Sequence, residues 1–382
     1  MSSTADEDLR RDPAGEDLAP YVSIPPAMAG EGEDMPRVVF TRRRMVLFGV
    51  FVVSAVAFLY FVLPKLAGSN GLRDSWSKLD KGDPWWLGLA GLFECLSFAG
   101  YVALFRAVFV RGRSMVDWRE SYQITMAGLA ATRLFAAAGA GGVALTAWAL
   151  RRSGMEARIV ACRMIAFMVL LYGVYMATLV VDGLGLASGV FAGPHPFAIT
   201  VVPAIFGASV ILVLLAISLL PEDFERRLAH WASGRGRAAQ VARRAATAPA
   251  SLASGVRTAL ALIRRGELGV AGAIAWWGFD MAVLWACFRA FGGAPPTGVI
   301  VMAYFVGMLA NVLPLPGGIG GVDGGMIGAL VAFGADFDIA LVAVLSYRVF
   351  SFWIPTAPGI VAYLQLRRTV SRWGEERATS PA

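Results

Sequence analysis

Apolar runs separated by short charged stretches organise this chain. They cover Met45 to Pro64, Trp85 to Val110, Ser121 to Leu150, Ala157 to Val181, Phe197 to Leu220, Leu268 to Phe291, Thr297 to Gly334 and Asp338 to Leu366. At 1.5 Å per residue, runs of about 20 residues or more suit helices crossing a hydrocarbon core of about 30 Å. Two of the runs exceed one crossing and are interrupted by glycine, at Ala138-Gly139-Ala140-Gly141-Gly142 and at Pro314-Leu315-Pro316-Gly317-Gly318-Ile319-Gly320-Gly321. Each predicts two half-helices around an irregular turn. Such backbone is tolerated at membrane depth only where protein or a wet cavity satisfies its amides, which favours re-entrant hairpins. The competing reading is close helix packing through small residues.

Charge placement turns this pattern into a topology. Arg42, Arg43 and Arg44 precede the first run, Arg111, Arg113 and Arg119 precede the first glycine segment, and Arg151, Arg152 and Arg158 follow it. Cytoplasmic loops carry the excess of basic residues, so both flanks of that segment are expected inside. Residues 221–266 hold nine arginines and read as a basic cytoplasmic loop, whereas Gly292 to Phe337 contains no Lys or Arg. The second hairpin is therefore expected to enter from outside. The resulting expectation is an all-α polytopic membrane protein with about six spans, two re-entrant glycine-rich hairpins and both termini cytoplasmic. Eight full spans is the alternative. Lys65, Arg73, Lys78 and Lys81 fall outside in this scheme, offset by Asp74, Asp80 and Asp83.

Composition supports the membrane class. The chain is 57% hydrophobic and 16% charged, too apolar for a water-soluble protein unless lipid solvates long segments. Its net charge of +7 is concentrated in interhelical stretches, which argues against nucleic acid as the partner. Residues 1–40 are rich in Asp, Glu and Pro and read as a disordered acidic tail before a membrane domain over 45–368, with residues 369–382 as a cytoplasmic tail. Cys95, Cys162 and Cys287 lie in apolar runs without metal-ligand spacing, and no metal or cofactor motif is present. The Gly139 to Ala144 stretch superficially fits a dinucleotide loop, but no strand precedes it.

An internal repeat accompanies the two glycine segments. At an offset of 179 residues Gly128 matches Gly307, Ala131 matches Ala310, Leu134 matches Leu313, and Gly139, Gly141, Gly142 and Val143 match Gly318, Gly320, Gly321 and Val322. Phe105-Arg106-Ala107 and Phe288-Arg289-Ala290 mark the upstream spans at a slightly different offset. In the expected topology those spans run in opposite directions, so the two units are inverted repeats, an architecture in which interrupted helices point to a binding site.

Ionisable residues inside apolar runs are costly and mark functional positions. Arg133 precedes the first glycine turn, Asp323 follows the second, and Arg348 lies about 10 residues into the last run, near mid-membrane. These three are expected to converge, with Gly141, Gly142, Gly317, Gly318 and Gly320 beside them as substrate-binding positions. Glu94 and Asp280 are also near mid-span; each either neutralises an arginine or acts on substrate. Arg106 and Arg289 sit near span ends, where long side chains snorkel. In the basic loop, Phe224, Leu228 and Trp231 share a helical face that suits either an anionic lipid surface or an ordinary solvated helix.

The run Asn311 to Asp323, the run Arg133 to Leu145, and Tyr347-Arg348-Val349-Phe350-Ser351-Phe352-Trp353 together resemble the lysylphosphatidylglycerol synthase transmembrane region family, also described as flippase-like. The resemblance covers about residues 45 to 368. Family members commonly carry Glu at the position of Asp323, and often a proline before the first glycine cluster where this chain has alanines. The family includes proteins whose membrane region flips an aminoacylated phospholipid made by a fused cytoplasmic catalytic domain. The resemblance implies, for this chain, movement of an anionic lipid or polyprenyl-phosphate-linked amphiphile between leaflets, without the synthase activity. Two other classes stay open: a membrane-embedded lipid-phosphate enzyme using Asp323, Asp280 or Glu94, and a scaffold for a separate synthase.

Overall fold

The computed structural model describes residues 82–110, 116–134, 140–219, 237–312 and 318–379. The expected first span, the expected acidic tail, the expected turns at 135–139 and 313–317, and the Phe224, Leu228 and Trp231 face lie outside them.

Helix α1 (Pro84–Phe109) begins where its sequence dictates. Pro84 occupies the first turn, and the Asp83 carboxylate accepts from the Trp85 N–H at 2.9 Å. It is followed by α2 (Trp118–Leu134), α3 (Ala140–Arg152), α4 (Ala157–Ala187), α5 (Phe197–Ser218) and α6 (Arg237–Arg264). A 3₁₀ turn (Leu268–Ala271) leads into α7 (Gly272–Ala290), then come α8 (Thr297–Leu309), α9 (Gly321–Ala332) and α10 (Phe337–Arg348). A π segment (Val349–Trp353) joins α10 to α11 (Ile354–Thr379).

Five segments among the described residues are long and apolar enough to cross a membrane: Pro84–Phe109, Ala157–Ala187, Phe197–Ser218, Leu268–Ala290 and Phe337–Trp373. They correspond to the five expected spans that fall in the described residues. The chain is a polytopic all-α membrane protein. Val202, Ile205, Phe206, Leu212 and Val213 are exposed along α5, a display that lipid solvates and water does not.

The glycine-interrupted runs fold as helical hairpins. Helices α3, α8 and α9 have 13, 13 and 12 residues, about 18 to 20 Å each, too short to cross alone. Each pair of arms closes through the repeated glycine. A Cβ on Gly128 would meet Thr146 Oγ1 at 3.0 Å, one on Gly307 would meet the Met326 backbone N at 2.8 Å, and one on Gly325 would meet the Gly307 Cα at 3.2 Å. Thr146 and Gly325 are themselves 179 positions apart, so both hairpins cross at equivalent points.

Helices α1 and α7 pack antiparallel along their length. The Asp83 N–H donates to Ala290 O at 3.0 Å, Ser97 Oγ donates to Trp276 O at 2.9 Å, and Gly269 abuts Ala103 and Ala107. Gly100 and Gly272 make the closest approach; a Cβ on Gly272 would lie 2.2 Å from Gly100 O. The spans that open the two units thus run in opposite directions, which is the inversion expected from the repeat.

Two segments carry more helix than the sequence pattern specified. Within 221–266, read as a loop, α6 is a helix that packs on α4: Ala253, Val256, Ala259 and Leu262 recur every third residue and are buried, and a Cβ on Gly255 would strike Ile165 Cγ2 at 2.3 Å. That stripe was hidden among arginines. Likewise the helix of α11 continues past Leu366 to Thr379, because Val370 and Trp373 extend its apolar face and are buried with Thr369.

Candidate functional site

Polar side chains converge where α1, α2, α7, α8, α9 and α10 meet. The antiparallel register of α1 on α7 sets Glu94 against Asp280, one turn beyond the Ser97 to Trp276 hydrogen bond. Both carboxyls are buried, at 5% and 6% exposure, and they interact with each other and with Arg133. Asp280 Oδ2 accepts from the Tyr304 and Tyr347 hydroxyls, the latter at 3.0 Å. Glu94 Oε2 has no donor among the described residues.

Arg133 reaches this cluster because α2 lies close to α11. Gly359 permits the approach, since a Cβ there would meet Ala130 Cβ at 2.8 Å and Met126 O at 3.0 Å. Arg133 NH2 donates to Ser351 O at 2.7 Å and NH1 to Phe352 O at 3.3 Å. The chain supplies those acceptors by its own sequence. Pro355 has no N–H to close an α-helical bond onto Ser351 O, and the local winding widens to a π segment, with Ile354 N–H reaching back to Val349 O.

Arg348, at the end of α10, pairs through Nε with Asp323 Oδ1. Asp323 is the third residue of α9, and its other oxygen accepts from the Gly320 N–H at 2.9 Å, the half of a capping box that a glycine N-cap with φ +82° allows. The aspartate therefore has a structural duty as helix cap as well as an ionic one. Arg133 and Arg348 share one aromatic ring: their guanidinium carbons lie 5.5 and 5.2 Å from the Phe352 centroid.

The structure brings Arg133, Asp323 and Arg348 together with Glu94 and Asp280, and adds Tyr304 and Tyr347. Gly318, with φ +66°, is buried against Asn311, and Gly320 faces open space at the start of α9. Gly142 is filled by packing, with Thr132 Oγ1 2.2 Å and Gly128 O 2.4 Å from a would-be Cβ. Gly141 follows Ala140 in the first turn of α3, and Gly317 lies outside the described residues. Arg106 and Arg289 stay at helix ends, stacked on Trp118 at 4.2 Å and Trp285 at 5.3 Å. Arg163 and Asp182, which the sequence reading passed over, are both buried in α4; Arg163 NH1 donates to Phe109 O at the end of α1 at 3.1 Å.

Beside the cluster, an open apolar groove of about 390 Å³ runs between α3, α4, α5 and α6, lined by Val143, Met164, Met168, Tyr172, Met176 and Leu214. Tyr172 interacts with Tyr101, which in turn interacts with Arg133.

The family described as the lysylphosphatidylglycerol synthase TM region matches residues 46–359. The chain belongs to this family. Every member of the polar cluster, from Glu94 to Phe352, lies inside the lysylphosphatidylglycerol synthase TM region. The chain is also similar to a UPF0104 membrane protein of Methanothermobacter thermautotrophicus, 34% identical over 87 residues, or 22% of this chain and 25% of that relative. The match spans a quarter of the relative's length.

Proposed function

We propose that this protein is a flippase-like transporter that moves an anionic lipid, or a polyprenyl-phosphate-linked amphiphile, between leaflets. The observation that carries this reading is the pair of half-buried guanidiniums, Arg133 and Arg348, gathered around Phe352 within apolar helices. Arginine's planar fork suits a phosphate, and a head group entering between the hairpins shares Arg348 with the Asp323 carboxylate. The apolar groove beside Tyr172 takes the acyl chains. In this proposal both termini and α6 face the cytoplasm, the α2–α3 hairpin enters from that side, and the α8–α9 hairpin enters from the other.

A second reading draws on the Glu94–Asp280 pair, because adjacent buried carboxyls are a common acid/base arrangement in enzymes. In it the protein is a membrane-embedded enzyme acting on a lipid phosphate. Reconstitution into vesicles with fluorescent phosphatidylglycerol separates the two. Transfer of unmodified lipid to the opposite leaflet, abolished in Arg348→Gln, is the expected result. A chemically altered lipid would establish the second reading, and neither transfer nor conversion would leave a scaffold.

A further inference from the structure

The charges around Phe352 do not leave room for an anion as they stand. Three carboxyls, Glu94, Asp280 and Asp323, meet two guanidiniums, Arg133 and Arg348, in one connected buried cluster. With every group ionised the cluster carries one excess negative charge, and a docked phosphate makes the excess larger. Uncompensated charge at membrane depth is among the costliest arrangements a protein can hold. The cluster therefore has to hold a proton whenever an anion is bound, and takes one up on docking wherever the free carboxyl pair has lost it.

The only buried carboxylate oxygen of the cluster without a donor among the described residues is Glu94 Oε2. Asp280 receives two tyrosine hydroxyls, and Asp323 receives the Gly320 N–H and Arg348. The groups facing Glu94 come from several elements: Asp280 and Cys287 on α7, Arg133 on α2 and Tyr347 on α10. Around Asp280 and Arg133 stand Tyr304 on α8, Arg348 at the end of α10, Tyr101 on α1 and, through it, Tyr172 on α4. Arg133 is the sole permanent cation facing Glu94 among these. When a phosphate takes a share of that guanidinium, the carboxyl pair loses the charge that balanced it.

We propose that the Glu94–Asp280 carboxyl pair takes up one proton when an anionic head group docks on Arg133 and Arg348, so that lipid movement is coupled to proton movement. This rests on the head-group reading above. The proton comes from the aqueous phase and forms an O–H bond on a carboxylate oxygen. That O–H then donates to the neighbouring carboxylate. When the head group leaves, the bond breaks and the proton returns to water; no bond of the lipid changes.

The test is calorimetric titration of the full chain in detergent with phosphatidylglycerol, repeated in two buffers of different ionisation enthalpy, with phosphatidylcholine as the uncharged-net comparison. About one proton taken up per phosphatidylglycerol bound is expected, with affinity weakening up to tenfold per pH unit where the pair is deprotonated in the free protein. Phosphatidylcholine should draw none. Glu94→Gln should bind phosphatidylglycerol with no proton uptake, and Asp280→Asn provides the same measurement if the first variant loses its thermal transition. Phosphatidylglycerol binding to the unmodified chain with zero proton uptake in both buffers at every pH across the range from about 5 to about 10 would overturn the coupling while leaving the head-group site intact. Absence of phosphatidylglycerol binding would sink both.

Discussion

Arg348 and Asp323 hold each other at the junction of α9 and α10, with side chains 12% and 5% exposed. Removing one partner of a buried pair strands the other, at a cost of about 3 kcal/mol. Arg348→Gln should lower stability by that order, and combination with Asp323→Asn should recover much of it, since an asparagine oxygen still accepts from Gly320 N–H. Arg348→Lys keeps the charge without the fork, so thermal stability should change less than in Arg348→Gln while phosphatidylglycerol affinity falls about tenfold, the loss of one charge-assisted bond. Thermal melts and lipid titration on the same preparations check this; full affinity in folded Arg348→Gln would remove the residue from the head-group site. Arg133, Asp323 and Arg348 were legible in the sequence because ionisable groups stand out in apolar runs. Tyr304 and Tyr347 were not: a tyrosine in such a run looks like packing until its hydroxyl is seen on Asp280. The pairing of Glu94 with Asp280 needs the register of α1 on α7, which no local pattern encodes.

At the scale of elements, the interruption of α10–α11 does what an intact helix would not. An α-helical Ser351 carbonyl would be taken by the amide four residues on, but that residue is Pro355, and the carbonyl is left for Arg133. Pro355→Ala supplies the missing N–H, which competes with the Arg133 guanidinium and favours ordinary α-helical winding over Val349–Trp353. The expected outcome is unchanged or slightly higher thermal stability, unchanged helix content by circular dichroism, and several-fold slower phosphatidylglycerol transfer. Unchanged transfer would show that the π segment does not set the position of Arg133. The half-helices were legible from glycine and proline, which interrupt apolar runs for known steric reasons. The π segment was not, because Tyr347 to Trp353 carries no breaker of its own and the responsible proline lies beyond it.

For the whole molecule, the antiparallel contact of α1 with α7 and the equivalent glycine crossings of the two hairpins fix the internal symmetry, while the arginine distribution predicts which face is cytoplasmic. Cysteine labelling tests the orientation directly. Cys95 is exposed, whereas Cys162 and Cys287 are buried, so the background must first be cleared by Cys95→Ser. In that background Ser153→Cys and Thr247→Cys should react with an impermeant maleimide only from the cytoplasmic side, and Ser188→Cys and Thr297→Cys only from the opposite side. Ser153 follows α3 and Ser188 follows α4, so this pair brackets one crossing. Position 153 carries the decision. If it labels from outside, α2 and α3 together traverse the membrane, and the flanking arginines lie on opposite faces. The antiparallel packing of α1 on α7 would survive that result, since it is set by Gly100 and Gly272, but the two hairpins would no longer enter from opposite leaflets. The proposed transport, with Arg133 and Arg348 open to one side and then the other, would lose its basis with that opposition, because in the proposal each hairpin closes the route from one leaflet.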